Sequence, residues 1–225
     1  MREVPLINEP KDLAHWIDHT ILAPDATEAA VEPLCAEAIE HGFRSVCVNS
    51  VHVRFVAGRL RGSPVKTCSV VSFPFGAAPT GAKAAETALA IEDGATEVDM
   101  VLAVGLLKGG RLDAVRADIA AVKRACGPAL LKVILETCFL TDEEKVTACR
   151  LAEEAGADFV KTSTGFGPAG ATVADVALMR RTVGPDMGIK AAGGIRTFEK
   201  AKAMIEAGAT RIGASASLAI IGARR

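Results

Sequence analysis

The sequence predicts an α/β fold: a single (β/α)8 TIM barrel over residues 1–225, with an extra N-terminal helix. Three observations predict it. Four segments rhyme: IEHGFRSVCVN, IEDGATEVDMV, EEAGADFVKTS and IEAGATRIGAS. Each passes from an acidic helix end, through Gly42, Gly94, Gly156 or Gly208, into a short apolar strand. Glycine just past a helix end is the usual left-handed cap. Second, those glycines lie 52, 62 and 52 residues apart, which leaves room for one more strand and helix between each pair. Third, apolar runs that can serve as these intermediate strands are present. A doubly wound sheet is the alternative, and the even spacing argues against it.

In chain order, residues before about 16 form the extra helix, closing the barrel bottom. WIDHTIL (16–22) is the first strand, with Asp18 at its end. Asp25 and Glu28 resemble a capping box for the helix that follows. VCVNS is the second strand. VKTCSVVSFPFG (65–76) is the third, with Lys66 at its entry, and EVDMV is the fourth. LLKVILET (130–137) is the fifth, with Lys132 and Glu136 on one face. Thr141 and Glu144 form a capping box, and FVKTS is the sixth strand. GIKAAGGI (188–195) is the seventh. The helix from Thr197 sets Phe198, Ala201 and Ile205 at helical spacing before RIGAS, the eighth strand. No linker or low-complexity segment divides the chain.

Half of the residues are hydrophobic, enough for a sizeable core. The net charge of −1 gives no footprint for nucleic acid or an anionic membrane. No apolar run approaches the ~18 residues of a membrane span. The opening MREVPLINEPKDLAHW is polar and mixed in charge, unlike a targeting peptide, so a cytoplasmic location is expected. None of the six cysteines forms a CxxC pair, which reads as reduced thiols. Of the four histidines only His15 and His19 stand in HxxxH spacing, and they fall where the N-terminal helix gives way to the first strand, so neither a metal nor another cofactor is expected.

The rhyme aligns side chains as well. Five positions after each cap glycine stand Cys47, Asp99, Lys161 and Gly213, which therefore share one orientation. Charges such as Asp99 and Lys161 cannot cheaply face the helix layer. They point into the barrel near its C-terminal mouth, where barrel active sites lie. With Lys132, Glu136, Lys190 and Asp18, three lysines and about three carboxylates converge on one cavity.

A lysine is nucleophilic when its amine is neutral, and a second lysine nearby or desolvation favours that state. Lys161 is the candidate nucleophile, Lys190 the cation that depresses it, and Asp99 the group that moves protons through water. The alternative is that Lys161 only binds phosphate or pairs with Asp99. The glycine loops STGFG, AAGGIRT and IGASAS follow strands six, seven and eight. Gly165, Gly193, Gly194 and Ser215 there are candidate phosphate donors, against the simpler reading of tight turns. Cys47 is more readily filler than nucleophile, His19 more readily structural than a base, and Arg196 as readily solvated as bound to phosphate.

EVDMV, LKVILET, FVKTSTGF and IKAAGGIR, with WIDHTIL, VCVNS and VSFPFG before them, resemble the deoxyribose-phosphate aldolase family of class I aldolases over residues 16–216. The resemblance implies reversible cleavage of 2-deoxy-D-ribose 5-phosphate to D-glyceraldehyde 3-phosphate and acetaldehyde, without a cofactor. It implies a Schiff base on Lys161, support from Lys190, proton transfer by Asp99 and a pocket lined by Lys132. It also implies phosphate binding at Gly165, Gly193, Gly194 and Ser215, and a homodimer or tetramer. The chain departs from the family pattern twice. It has no tyrosine, where some members use a C-terminal one, and Ala216 stands where a second serine is common. Two other functions compete: a Schiff-base aldolase for a different phosphosugar, and a phosphosugar-binding barrel without catalysis.

Overall fold

The structure, a computed structural model, describes residues 7–223. The expected N-terminal helix is a 3-10 helix over Pro10–Trp16, opened by Glu9 and Asp12 in a reciprocal cap and anchored by buried Leu13. Residues 1–6, and Arg224 and Arg225 of the tail, lie outside the described residues.

Eight parallel strands follow: β1 Ile17–Thr20, β2 Ser45–Val48, β3 Lys66–Val71, β4 Glu97–Val101, β5 Leu130–Ile134, β6 Phe159–Lys161, β7 Gly188–Ala192 and β8 Arg211–Ala214. They close into a barrel in sequence order, with β8 pairing back onto β1. The helices are α1 Glu28–His41, α2 Val53–Arg59, α3 Thr80–Glu92, α4 Val104–Lys108, α5 Leu112–Cys126, α6 Asp142–Glu154, α7 Val173–Thr182, α8 Phe198–Glu206 and α9 Ser217–Ile220. Among the described residues no helix is long and apolar enough to cross a membrane.

The four cap glycines all adopt positive φ, at 69°, 106°, 82° and 113°. Thr141 and Glu144 cap α6 reciprocally, and Thr197 caps α8. The cap of α1 differs from expectation. Thr27, not Asp25, accepts from the Ala30 amide, because the helix begins at Glu28 and Asp25 stays an exposed turn residue.

Side-chain alternation divides each strand between two cores. Val46, Val48, Val98, Met100, Leu131, Val133, Val160, Ile189 and Ile212 face the helices in the main apolar core. The opposite parity fills the barrel in layers drawn from alternate strands, as closed barrels of this size require. From the bottom upward the strand pairings stack Ser45, Glu97, Phe159 and Arg211, then Asp18, Cys68, Lys132 and Lys190, then Cys47, Asp99, Lys161 and Gly213. The four residues aligned by the glycine rhyme thus form one layer.

Two placements differ from the sequence reading. Asp18 does not end its strand; it is the second residue of β1 and lies one layer below Asp99. β5 stops at Ile134, and Glu136 leaves the strand with φ 55°. Its carboxylate turns to the loop after β6, away from the lysines.

Candidate active site

The site is built by the upper two layers of the barrel. Lys161 and Lys190 are register partners on adjacent strands, β6 and β7. Both ammonium groups donate to the same oxygen, Oδ2 of Asp99, at 2.8 Å. Lys132 donates to the other oxygen, Oδ1, at 2.8 Å. Asp99, Lys132 and Lys190 are wholly buried, and Lys161 is 2% exposed. Lys190 also contacts Asp18 closely, and Lys132 lies 2.7 Å from Glu97. Arg211 ties the floor together, donating to Asp18 at 2.6 Å and Glu97 at 2.9 Å. Four cations therefore share three carboxylates.

Burial alone would raise the Asp99 carboxyl, but the ammonium groups of Lys132, Lys161 and Lys190 outweigh it and hold the group well below the usual carboxylate range. Burial likewise opposes charge on Lys190, yet Asp18 and Asp99 push it above the ordinary lysine value. Lys132 is raised against burial in the same way, chiefly by Asp99. Lys190 and Lys132 are thus fixed ammonium ions, and Asp99 is a fixed anion. Lys161 differs in having Asp99 as its one carboxylate partner among the described residues, whereas Lys132 and Lys190 each reach at least two. Discharging Lys161 leaves the fewest bonds unmade.

Room for this cluster depends on Gly213. A Cβ there would lie 2.9 Å from Cε of Lys190, so any other residue would displace the lysine.

The inner surface is asymmetric. Leu22, Cys47, Cys68 and Val70 form a small apolar cluster on the β1–β3 side, with Phe73 packed against it. Apart from Asp18 on β1, the charges occupy the β4–β8 side. Cys47 faces inward as expected, and its thiol is lowered first by a hydrogen bond from Cys68 and then, against burial, by Lys190. Cys47 Sγ, Cys68 Sγ and an Asp99 oxygen lie within 4.8 Å of one another, a set that could hold a metal ion. Lys132 already donates to both Cys68, at 3.5 Å, and Asp99.

Above the lysines, the loop after β6 meets the loop after β7. A Cβ on Gly165 would come within 3.9 Å of the Gly193 Cα. Gly193 has φ 92°, and its own Cβ would stand 2.9 Å from the Gly170 Cα, so the two loops can touch only with glycine there. Gly194 and Ser215 are exposed at the rim, and Gly194 has φ 70°. Lys200 places its Nζ 3.5 Å from the Cβ position of Gly194, bringing a cation to this glycine loop.

The minor candidates fall outside the cluster. His19 faces the helices; its Nδ1 lies 2.8 Å from Ser217 Oγ and its Nε2 2.8 Å from Glu37. Arg196 is exposed, and so is Lys66 at the entry of β3. A cavity of about 820 Å³ opens at the opposite end, bordered by Trp16, Arg44, Phe159 and Arg211. It lies below the layers that carry the lysines.

The sequence model of the DeoC/LacD family aldolases matches residues 13–223. The chain belongs to the DeoC/LacD aldolase family. A deoxyribose-phosphate aldolase of Brevibacillus brevis is 62% identical over 206 residues, 92% of this chain and 93% of that protein. One of Rhodospirillum rubrum is 62% identical over 210 residues, 93% of this chain and 88% of that protein. A solved tetrameric deoxyribose phosphate aldolase from Aeropyrum pernix superposes with a TM-score of 0.89 at 37% identity, covering 95% of this chain and 91% of that one.

In this DeoC/LacD aldolase the sequence reading missed Glu97, Arg211, Cys68 and Lys200. Glu97 and Arg211 were within reach of it. They stand three positions after Gly94 and Gly208, the same parity as the Asp99 and Lys161 layer but two layers lower. Cys68 and Lys200 carry no comparable signal, since both enter by the approach of separate elements.

Proposed function

We propose that this chain is a deoxyribose-phosphate aldolase that cleaves 2-deoxy-D-ribose 5-phosphate reversibly to D-glyceraldehyde 3-phosphate and acetaldehyde through a Schiff base on Lys161. Membership of an aldolase family and the names of its 62% identical relatives support the substrate. The observation that carries the mechanism is the single Asp99 oxygen shared at 2.8 Å by Lys161 and Lys190.

Lys161, the lysine with the fewest carboxylate partners, passes its proton on through Asp99 and water and attacks C1 of the open-chain sugar. Loss of water leaves a protonated imine. The products carry two and three carbons, so the bond that breaks is C2–C3. The C3 hydroxyl loses its proton, the C2–C3 electrons flow to the imine nitrogen, and glyceraldehyde 3-phosphate leaves. The enamine takes a proton at C2, water adds at C1, and acetaldehyde departs with Lys161 regenerated. Asp99 stays ionised, so it relays protons rather than storing one. Lys190 remains the cation beside the nucleophile. Lys132 and Asp18 hold Asp99 and Lys190 in place, and Cys47 lines the apolar side of the pocket. Gly165, Gly193, Gly194 and Ser215 receive the phosphate, with Lys200 supplying charge. No metal or organic cofactor enters these steps.

The protein works as one barrel domain in the cytoplasm and as a homo-oligomer; the tetrameric Aeropyrum pernix relative supports self-association, and light scattering tests it. The deciding experiment for function is borohydride reduction in the presence of acetaldehyde. An ethyl group mapped to Lys161, together with deoxyribose 5-phosphate turnover, is the expected result. No adduct on the folded protein overturns the Schiff-base reading and favours a binding barrel. An adduct without deoxyribose 5-phosphate turnover favours a different phosphosugar.

A further inference from the structure

Two phenylalanines from nearly opposite loops meet over the barrel mouth. Phe73 lies just beyond β3 and Phe166 just beyond β6, three strand steps apart in the ring of eight. Their rings meet edge to face, with centroids 5.3 Å apart and planes at 89°. Between the two loops in the ring stand β4 and β5, the strands that carry Asp99 and Lys132.

Each end of the span is held differently. Phe73 is half-buried and packs on the apolar cluster of Leu22, Cys47, Cys68 and Val70. Phe166 is held through its backbone: its N–H donates to Thr164 Oγ1 at 3.0 Å, and the Thr164 hydroxyl donates closely to buried Glu136. The Phe166 ring itself is 52% exposed. A ring so exposed contributes little to the core, yet its backbone is fixed through Thr164 to a buried carboxylate.

We propose that the Phe73–Phe166 pair is a specificity determinant of this aldolase, roofing the β4–β5 side of the mouth. An acceptor aldehyde then enters on the side of the glycine loops after β7 and β8, which favours acceptors with an anionic end. Bulky apolar acceptors are turned away by the aromatic span. This proposal rests on the aldolase reading above.

The test runs the reaction in the synthetic direction, with acetaldehyde as donor and either glyceraldehyde 3-phosphate or hexanal as acceptor. For Phe166→Ala the ratio of kcat/KM for hexanal to that for glyceraldehyde 3-phosphate rises about tenfold or more. Phe166→Leu gives a smaller rise. Phe73→Ala changes the ratio in the same direction, and the double variant gains less than the product of the two single effects. Phe75→Ala leaves the ratio unchanged, because that ring is 81% exposed and forms no part of the span. Borohydride trapping on Lys161 is measured for every protein. Failure to trap the wild type defeats the aldolase reading. With trapping intact, a Phe166→Ala ratio unchanged from wild type overturns the specificity proposal. A fall in both rates by one factor overturns it too, because that pattern marks loop shape alone.

Discussion

Two buried charge clusters of this protein are built differently. Between α3 and α5, Lys83 donates to Asp118 at 2.6 Å and to the Val101 carbonyl at 3.1 Å, while Thr80 donates to the other Asp118 oxygen at 2.8 Å. Lys83 is fully buried and Asp118 nearly so. There one cation meets one anion, and neighbouring groups complete both. Inside the barrel, four cations divide three carboxylates, and two ammonium groups share one oxygen. A matched buried pair has nothing left to give, so its role is structural. A cluster with a surplus cation can spare one, and Lys161 is the lysine with the fewest carboxylate partners among the described residues.

Removing the surplus cation gives the largest expected effect. Lys161→Ala lowers kcat for deoxyribose 5-phosphate cleavage by about 10⁴-fold or more. Its melting temperature holds or rises, because Asp99 keeps Lys132 and Lys190. A melting point that falls as steeply as for a broken matched pair would erase the distinction between the two sites.

Asp99→Asn comes next. It removes the shared anion and lowers kcat by about 10²–10⁴-fold. Single-turnover trapping with acetaldehyde slows in step with kcat, since proton relay precedes imine formation. Unaltered trapping would place Asp99 outside that step.

Asp118→Ala inverts the pattern. It strands the buried Lys83 ammonium and destabilises the fold by about 3–5 kcal/mol in urea unfolding. The kcat/KM measured below the melting transition stays at the wild-type value. A loss of activity matching that of Asp99→Asn would show that the helix pair is part of the site.

The smallest expected effect is a plateau. Asp99 and Asp18 are depressed, so their contribution to stability is complete above the unfolded carboxylate value of about 4 and is lost as pH falls below it. Lys132 and Lys190 are raised, so their contribution is complete below about 10 and is lost only as pH climbs through their higher folded values. These four groups therefore leave the melting temperature flat between about pH 5 and 9. A step within that window would mean that a cluster residue titrates there in the free protein.

Much of this arrangement was legible in advance. The cap glycines located the even-numbered strands, and counting five residues onward aligned Cys47, Asp99, Lys161 and Gly213. Lys161 and Lys190 were expected on neighbouring strands, and they prove to be register partners. Asp18 was misjudged in depth because the hydrogen-bonded strand continues past it to Thr20. Glu136 was assigned to the lysine cluster because strand parity was carried past Ile134, where the backbone turns left-handed.

The sequence by itself determined the periodic part of this protein: the alternation of strands and helices, their caps, and the parity that turns charged side chains inward. These features depend on neighbours within a few residues along the chain. The tertiary structure decided what depends on the stagger between strands. Barrel closure set Arg211 and Glu97 under the lysines, brought two ammonium groups to one carboxylate oxygen, and carried Phe73 across to Phe166. Stagger accumulates strand by strand around the ring, so no local pattern contains it.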